Sequence, residues 1–298
     1  MKKTDTAREV VARALLGVPI GKQLPTTKDL SVEARAGNGT IQAALKSLED
    51  AGLVVTTAHG RQGRRVVSSD ILSLWGASGR GPLTGVMPLP ESREFAGIAT
   101  ALSVAASRAN LPLQLLFRQG GNTRSEYLDS ELVDFSVSSE GAARESHGAR
   151  NTLPLGPYTY YAKDSVVVIT AKGHKPHPTD RVAIDRNSAD HTMLTTAEFP
   201  HAGLVDVPYL FIAEAVATGG VDAAIWHRTT SSPLMTAVGL SIHELSNPDA
   251  RSDGYSEGAI VWRSNDAGVK SLLRELIDLE ELKAIQKEVM DGLRVPQF

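Results

Sequence analysis

The chain has 298 residues, 42% hydrophobic and 22% charged, with no cysteine, which suits a soluble globular protein of two domains and excludes disulfides and thiolate metal sites. Its net charge of -3 is uneven: residues 1–80 carry twelve Lys/Arg against seven Asp/Glu, or +5, and the remainder sums to -8. A basic head on an acidic body points to a polyanion partner for the head alone. No stretch reaches the ~20 apolar residues of a membrane helix, and the start "MKKTDTAREVV" lacks an apolar signal core, so a cytoplasmic location away from membranes is expected.

The segment "TAREVVARALLGV" places Ala7, Val10, Val11, Ala14 and Leu15 on one face at helical spacing, and this first helix should end near Gly17. After the Pro/Gly-bounded "PIGKQLP", Thr26 stands as an N-cap with Asp29 three residues later, a variant of the capping box. The second helix runs through "TKDLSVEAR" and buries Leu30 and Ala34. Past the turn "AGNG", a third helix begins at Thr40 and faces Ile41, Ala44, Leu45 and Leu48 inward. "DAGLVVTT" closes it at Gly52 and starts a strand, and "HGRQGRRVV" forms a hairpin tip. Three short helices and a two-stranded hairpin make a winged helix-turn-helix over residues 1–70.

On that fold the expected partner is a double-stranded DNA operator. Asn38, Thr40 and Gln42 stand at the leading end of the third helix, with Lys46 further along it, where side chains reach base edges. Thr26, Thr27 and Lys28 start the second helix and could hold a phosphate through free backbone N–H groups. Arg61, Arg64 and Arg65 on the wing would meet phosphates or enter the minor groove, and Gly60 and Gly63 allow the tight turn that brings them there.

This stretch resembles the GntR-type winged helix over about residues 7–68. The resemblance is carried by Gly21, Leu24-Pro25-Thr26, Leu30, Thr40-Ile41, Ala44-Leu45, Leu48, Gly52-Leu53 and the wing glycines. It departs where that family usually has Gly-Val-Ser-Arg between helices two and three, here Arg35-Ala36-Gly37-Asn38. Asn38 therefore replaces the usual arginine at the start of the reading helix, and the family's base preference does not carry over.

"SSDILSLWGASGRG" reads as a Ser/Gly-rich linker, residues 71–82, with room for one short element carrying Ile71, Leu74 and Trp75. From residue 83 to 298 strands and helices alternate: strand-like "LTGVMPLP", a helix in "SREFAGIATALSVAASRAN", strand "LPLQLLFR", a short helix in "TRSEYLDS" and strand "LVDFSVSS". The rhythm returns in "SVVVITA", "DRVAIDRNSADH", "GLVDVPY", "VDAAIWH", "TAVGLSIHEL" and "EGAIVWRSND" before two terminal helices. Strands apolar on both faces predict parallel sheets covered by helices. Two α/β lobes that the chain crosses more than once predict a type 2 periplasmic-binding-protein-like domain, with ligand in the cleft where strands end and helix N-termini point inward.

With the motifs "HGRQGRR", "GVMPLPESREFAGIATAL", "DSELVDFSVSS" and "DRVAIDRNSADH", nearly the whole chain resembles the YhfZ family of transcriptional regulators. That resemblance implies a DNA-binding head and a solute-binding-like body. Positions after the strands give the candidate ligand residues: Pro88, Glu91 and Ser92; Arg118, Gly121 and Asn122; Ser138 and Ser139; Asp185, Arg186, Ser188 and Asp190; Trp226, His227 and Arg228. Arg118, Arg186 and Arg228 would suit a carboxylate or phosphate, which guanidinium binds bidentately.

The sequence carries no nucleophile elbow, Walker loop, zinc-protease or dinucleotide motif. "HKPHP" is a proline-broken loop, so neither metal nor cofactor is expected. The function expected is that of a ligand-responsive, non-enzymatic transcription factor acting as a homodimer on paired half-sites. The alternative is a small-molecule-binding or metabolic protein, or an enzyme of the binding-protein fold, whose first domain only dimerises.

Overall fold

The computed structural model describes residues 3–60, 63–147, 152–228, 239–247 and 253–298. The chain divides into two compact units, one of residues 1–83, 104–114 and 264–278, the other of residues 84–103, 115–263 and 279–298.

The first unit opens with α1 (Lys3–Leu16), α2 (Thr27–Ala34) and α3 (Asn38–Asp50), then the hairpin of β1 (Val54–Ala58) and β2 (Arg64–Ser69). Helix α1 buries Ala7, Val10, Val11, Leu15 and Leu16, one stripe at helical period. The expected capping box starts α2: Thr26 Oγ1 accepts from the Asp29 N–H at 3.2 Å, and Asp29 Oδ2 accepts from the Thr26 N–H at 3.2 Å. Helix α3 begins at Asn38, ahead of the expected Thr40, because Gly37 takes the extended cap conformation and its carbonyl already accepts from the Thr40 and Ile41 N–H groups. Ile41, Ala44 and Leu48 are buried and Leu45 half-buried. Arg35, where the turn between α2 and α3 needs a left-handed residue, adopts φ 50° without being glycine. Strands β1 and β2 pair antiparallel with an irregularity between Val55 and Thr56.

The segment expected as a linker contains α4 (Ile71–Ala77), capped by Asp70, with Leu74 and Trp75 buried. It packs beside α1 together with α11 (Ala267–Leu276), a helix supplied from far along the chain, whose Val269, Leu272, Leu273 and Leu276 are buried. Close approach needs glycine here: a Cβ on Gly17 would lie 3.2 Å from the Ala267 Cβ. Arg80 lies over the Trp75 ring at 4.8 Å and pairs with Asp266, the N-cap of α11.

The second unit holds two five-stranded sheets. The first runs in the order β4 (Leu113–Phe117), β3 (Leu83–Met87), β5 (Phe135–Ser139), β12 (Gly258–Trp262), β6 (Thr152–Gly156). The second runs β11 (Leu240–Glu244), β7 (Val166–Ala171), β10 (Ala223–His227), β8 (Arg181–Ile184), β9 (Gly203–Asp206). Both are mixed, which corrects the expectation of parallel sheets. Strand β12 is antiparallel to β5 and β6, and β7 to β10 and β11, while β3–β5, β8–β9 and β8–β10 are parallel. An apolar run reports burial on both faces, and a covered antiparallel strand satisfies that as well as a parallel one.

Alternate residues of the second sheet face opposite cores: Val167, Ile169 and Ala224 on one side, Val168, Ala223 and Ile225 on the other. Helices α5 (Arg93–Arg108), α6 (Gly121–Asp129) and α7 (Glu140–His147) follow strands of the first sheet, and α8 (Ala189–Glu198) and α9 (Ile212–Ala217) those of the second. A single turn, α10 (Asp253–Ser256), precedes β12, by which the chain returns to the first sheet, and α12 (Leu279–Met290) ends the fold. Among the described residues, no helix is long and apolar enough to cross a membrane.

Candidate DNA-reading face and ligand cleft

Among the residues that α3 leaves in solvent, Asn38, Gln42 and Lys46 form one polar stripe at i, i+4 and i+8, with Thr40 half-buried beside it. The start of α3 has no side-chain cap and no acid in its first turn, so no carboxylate of its own offsets the positive end of the helix there. The hydroxyl of Ser31, on α2, donates to Asn38 Oδ1 at 2.7 Å.

The start of α2 differs from the expectation. Both the N–H and the hydroxyl of Thr26 donate to Asp29 Oδ2, so a carboxylate already fills the place expected for a phosphate, with Thr27 half-buried and Lys28 exposed alongside. On the wing, Arg64 Nη2 lies 2.8 Å from Glu49 Oε1, and Arg64 Nε donates to Thr56 Oγ1 at 2.6 Å. Arg64 therefore clamps the wing to α3 instead of standing open to phosphate. Arg65 is exposed on β2 and bridges to Gln23; Arg61 lies outside the described residues.

The cleft of the second unit lies between its two sheets, a cavity of about 670 Å³ counted out to its open mouth. The first lobe contributes Pro88, Leu89, Glu91, Ser92, Phe95, Gln119, Gly120, Gly121 and Arg124. The second contributes Val166, Ser188, His191, Leu194, Tyr209, Ile225 and His227, and Tyr160 and Tyr161 come from the segment between β6 and β7. Arg124 is 5% exposed. Its Nε donates to the Val137 carbonyl at 3.2 Å, Nη1 to the Arg118 carbonyl at 3.1 Å and Nη2 to the Tyr160 hydroxyl at 3.0 Å. Among the described residues its hydrogen-bond partners are thus all neutral, so a buried positive charge faces the cavity without a bonded counter-charge.

Beside Arg124, α6 follows Gly120 (φ 85°) as its N-cap residue and has no side-chain cap, whereas Ser92 caps α5 and Ser188 caps α8 by accepting from the Phe95 and His191 N–H groups. The rings of Phe95, Tyr160, Tyr161 and His227 pack against one another at 4.7 to 6.3 Å between centroids. Glu94 is buried, and its Oε1 lies 3.5 Å from His227 Nε2, an electrostatic approach too long for a good hydrogen bond. Burial, the largest single influence, pushes the Glu94 carboxyl up, but the neighbouring His227 together with hydrogen bonds from the Glu94 N–H and Ser92 outweighs it and leaves the pKa lowered. His227 Nε2 has no hydrogen-bond partner among the described residues.

His191 is satisfied internally. Its Nδ1 accepts from the Asp185 N–H at 3.0 Å, which leaves Nε2–H to donate to the Ile225 carbonyl at 3.1 Å. Burial pushes its pKa down from 6.5, consistent with this neutral tautomer.

The lobes also meet directly. Ser139 donates to Asp190 at 2.5 Å, the Asn122 N–H to the Asn187 carbonyl at 3.1 Å, and Asn187 Nδ2 to Thr123 Oγ1 at 3.0 Å. Asn122 and Ser138 line a smaller cavity along this seam.

Of the expected ligand residues, Pro88, Glu91, Ser92, Gly121, Ser188 and His227 line the main cleft, and Asn122, Ser138, Ser139 and Asp190 form the seam. The three expected arginines do not line it. Arg118 lies over the Tyr127 ring at 5.4 Å and donates to its hydroxyl, Arg186 pairs with Asp206 at 2.7 Å, and Arg228 is exposed outside the cavity. Trp226 stacks on Tyr209 at 4.7 Å within a lobe core, and the Asp185 carboxylate is spent on the Asn187 and Tyr209 N–H groups. Sequence reasoning missed Arg124, His191, Tyr160, Tyr161 and Tyr209. A signal existed for Arg124: it stands four residues before buried Leu128, on the inward face of α6.

The family model for the YhfZ C-terminal domain matches residues 70–298, and one for a helix-turn-helix domain matches residues 19–66. The chain is 31% identical to the YhfZ protein of Escherichia coli (strain K12), over 100% of this chain and 98% of that one. The crystal structure of YhfZ from Shigella flexneri aligns with a TM-score of 0.62 at 27% identity, covering 77% of this chain and 98% of that one. An amino acid ABC transporter substrate-binding protein from Streptococcus pneumoniae, solved bound to L-arginine, aligns with a TM-score of 0.51 at 15% identity over 75% of this chain and 98% of that one. This last likeness concerns the fold of the α/β domain alone, which is like that of the periplasmic binding proteins, while the helix-turn-helix domain before it rests on the family model. With a family model covering most of its length and a full-length relative at this identity, the chain belongs to the YhfZ family.

Proposed function

We propose that the protein is a sequence-specific DNA-binding transcriptional regulator whose cleft senses a small anionic metabolite, a carboxylate or phosphate, and that it works in the cytoplasm as a homodimer without enzymatic activity. The observation that carries the sensing half is Arg124, a buried guanidinium with neutral partners at the wall of the cleft. A bound anion would supply the missing counter-charge through charge-assisted hydrogen bonds, with the uncapped start of α6 beside it. His227 Nε2 offers the ligand a further polar atom. The reading half rests on the solvated stripe of Asn38, Gln42 and Lys46 on α3 and on the basic balance of the first 80 residues.

In this reading the effector favours the closed lobes and so biases the head between two DNA-binding states. Two heads of a dimer read adjacent half-sites. Native mass spectrometry of freshly purified protein tests sensing and assembly together, with a dimer carrying a co-purified small anion as the expected result. Selection from random duplex DNA, with and without candidate carboxylates and phosphates, tests the reading half. Absence of any enriched sequence would sink the regulator, and turnover in a metabolite screen would replace the sensor with an enzyme.

A further inference from the structure

Asparagine on a reading helix ordinarily presents both ends of its carboxamide, and so pairs bidentately with adenine, which offers N6–H₂ as donor and N7 as acceptor in the major groove. Asn38, the first residue of α3, is held differently. The Ser31 hydroxyl, one helix earlier, donates to Asn38 Oδ1 at 2.7 Å. That bond fixes the rotation of the carboxamide, turning Oδ1 toward α2 and placing Nδ2 on the far side of the amide. The leading atom of an exposed side chain is then a nitrogen with two hydrogens and no acceptor capacity.

We infer that Ser31 and Asn38 together make this position selective for a keto base. At the exocyclic position of the major-groove edge guanine presents the acceptor O6, beside its acceptor N7, and thymine presents O4; adenine presents there an amino donor beside its N7, and cytosine an amino donor alone, so a donor-only contact aimed at that position meets repulsion from adenine and cytosine. Ser31 acts as a positioning residue, and Asn38 touches the base. The inference rests on the proposed role of the head as a DNA reader, and adds to it the direction of the base preference at one place.

The test is a selection from random duplex DNA with the full chain in four forms: native, Asn38→Ala, Ser31→Ala and Ser31→Thr. Asn38→Ala should flatten one column of the recovered motif and so identify the base it reads. In the native protein that column should hold guanine or thymine over adenine and cytosine by about tenfold, the low end of what one good base contact discriminates. Ser31→Ala frees Oδ1, and adenine should rise to about parity in that column alone. Ser31→Thr keeps a hydroxyl and should keep the keto preference, which separates loss of orientation from loss of folding.

Adenine or cytosine in the native column overturns the inference, because Oδ1 would then be the leading atom. So does a column unchanged in Ser31→Ala, or a motif that Asn38→Ala leaves intact. If no form enriches any sequence, the DNA-reading role itself has failed and the base preference falls with it. A clear motif with the wrong column defeats only the present step.

Discussion

The stripe on α3 and the wall of the cleft both present polar side chains to a prospective partner, but in opposite environments. Asn38, Gln42 and Lys46 are solvated, so their charge and hydrogen bonds are screened; Gln42 and Lys46 can rearrange when a partner arrives, while the Ser31 hydroxyl holds Asn38. Arg124, Glu94 and His191 are all buried, held by the Val137 carbonyl, the Ala162 N–H and the Asp185 N–H. Their orientation is fixed before any ligand binds, and the desolvation is a cost already carried in the stability of the fold. A highly charged polymer can be gripped by many weak exposed contacts, whereas a small molecule needs a few strong ones in a dry site. Substitutions in the α3 stripe of Gln42 and Lys46 should therefore change binding without changing stability, and substitutions at the cleft should change both.

The largest effect is expected at Gly120. Its φ is 85°, and a Cβ there would lie 2.1 Å from Asn187 Nδ2 on the opposite lobe. Gly120→Ala combines backbone strain with a clash and should lower stability by about 1–4 kcal/mol. It should also hold the lobes apart. Thermal melting and small-angle scattering check this against Gln42→Ala, which should melt like the native protein. A Gly120→Ala variant with native melting and native dimensions would mean that the two lobes do not press together at this seam.

Arg124→Gln tests the anion site more narrowly. Ligand that binds only the folded state stabilises it by about 2.7 kcal/mol at a hundredfold excess over Kd. Native protein titrated with small carboxylates and with inorganic phosphate should gain melting temperature with at least one of them, and Arg124→Gln should lose that gain. The control is Arg118→Gln, because Arg118 is engaged with Tyr127 away from the cavity. If both variants retain the gain, the anion binds elsewhere.

These two positions also show how far the sequence could be read. The capping box at Thr26 and Asp29 and the inward spacing of Ile41, Ala44 and Leu48 were legible, because a cap and a helical stripe are set by residues three or four apart. Helix α4 was hidden within a Ser/Gly-rich stretch because part of its packing comes from α11, far along the chain. At the cleft the strand ends were placed well enough to find Pro88, Ser92, Ser188 and His227. Which arginine faces inward was only partly readable: the spacing from Arg124 to buried Leu128 points inward, but the Val137 carbonyl and the Tyr160 hydroxyl that hold the guanidinium come from elsewhere in the chain. Strand direction was lost for the same reason: burial is local, whereas pairing partners are not.

A smaller effect should separate the buried groups by pH. His191 is held neutral, its folded pKa below the ordinary 6.5. The unfolded chain therefore takes up the proton first, so this contribution is fully present above about pH 6.5 and is lost as pH falls through the folded value. Glu94, whose folded pKa is also lowered, contributes above its ordinary 4.5 and loses that contribution only as pH falls further. Between these limits the difference in melting temperature between native protein and His191→Gln should shrink with acid. A constant difference from pH 7 to pH 5 would argue that His191 does not titrate in this window.

The smallest stability effect, and the sharpest test of the exposed face, lies at the Arg64–Glu49 pair. Both groups are partly solvated, with side chains 42% and 24% exposed, so breaking the pair should lower stability by no more than about 1 kcal/mol. Its consequence for binding should be larger, because Glu49→Gln removes the carboxylate that holds Arg64 against α3 and leaves the guanidinium on the wing free to reach a phosphate. Each added phosphate contact steepens the dependence of log K on log salt by about 0.9. Glu49→Gln should therefore bind duplex DNA more tightly at low salt and with a steeper slope by about one such contact, and Glu49→Gln with Arg64→Ala should lose the added slope. An unchanged slope in Glu49→Gln would leave Arg64 as a structural clamp in both states and pass the phosphate grip to Arg65 and the rest of the wing.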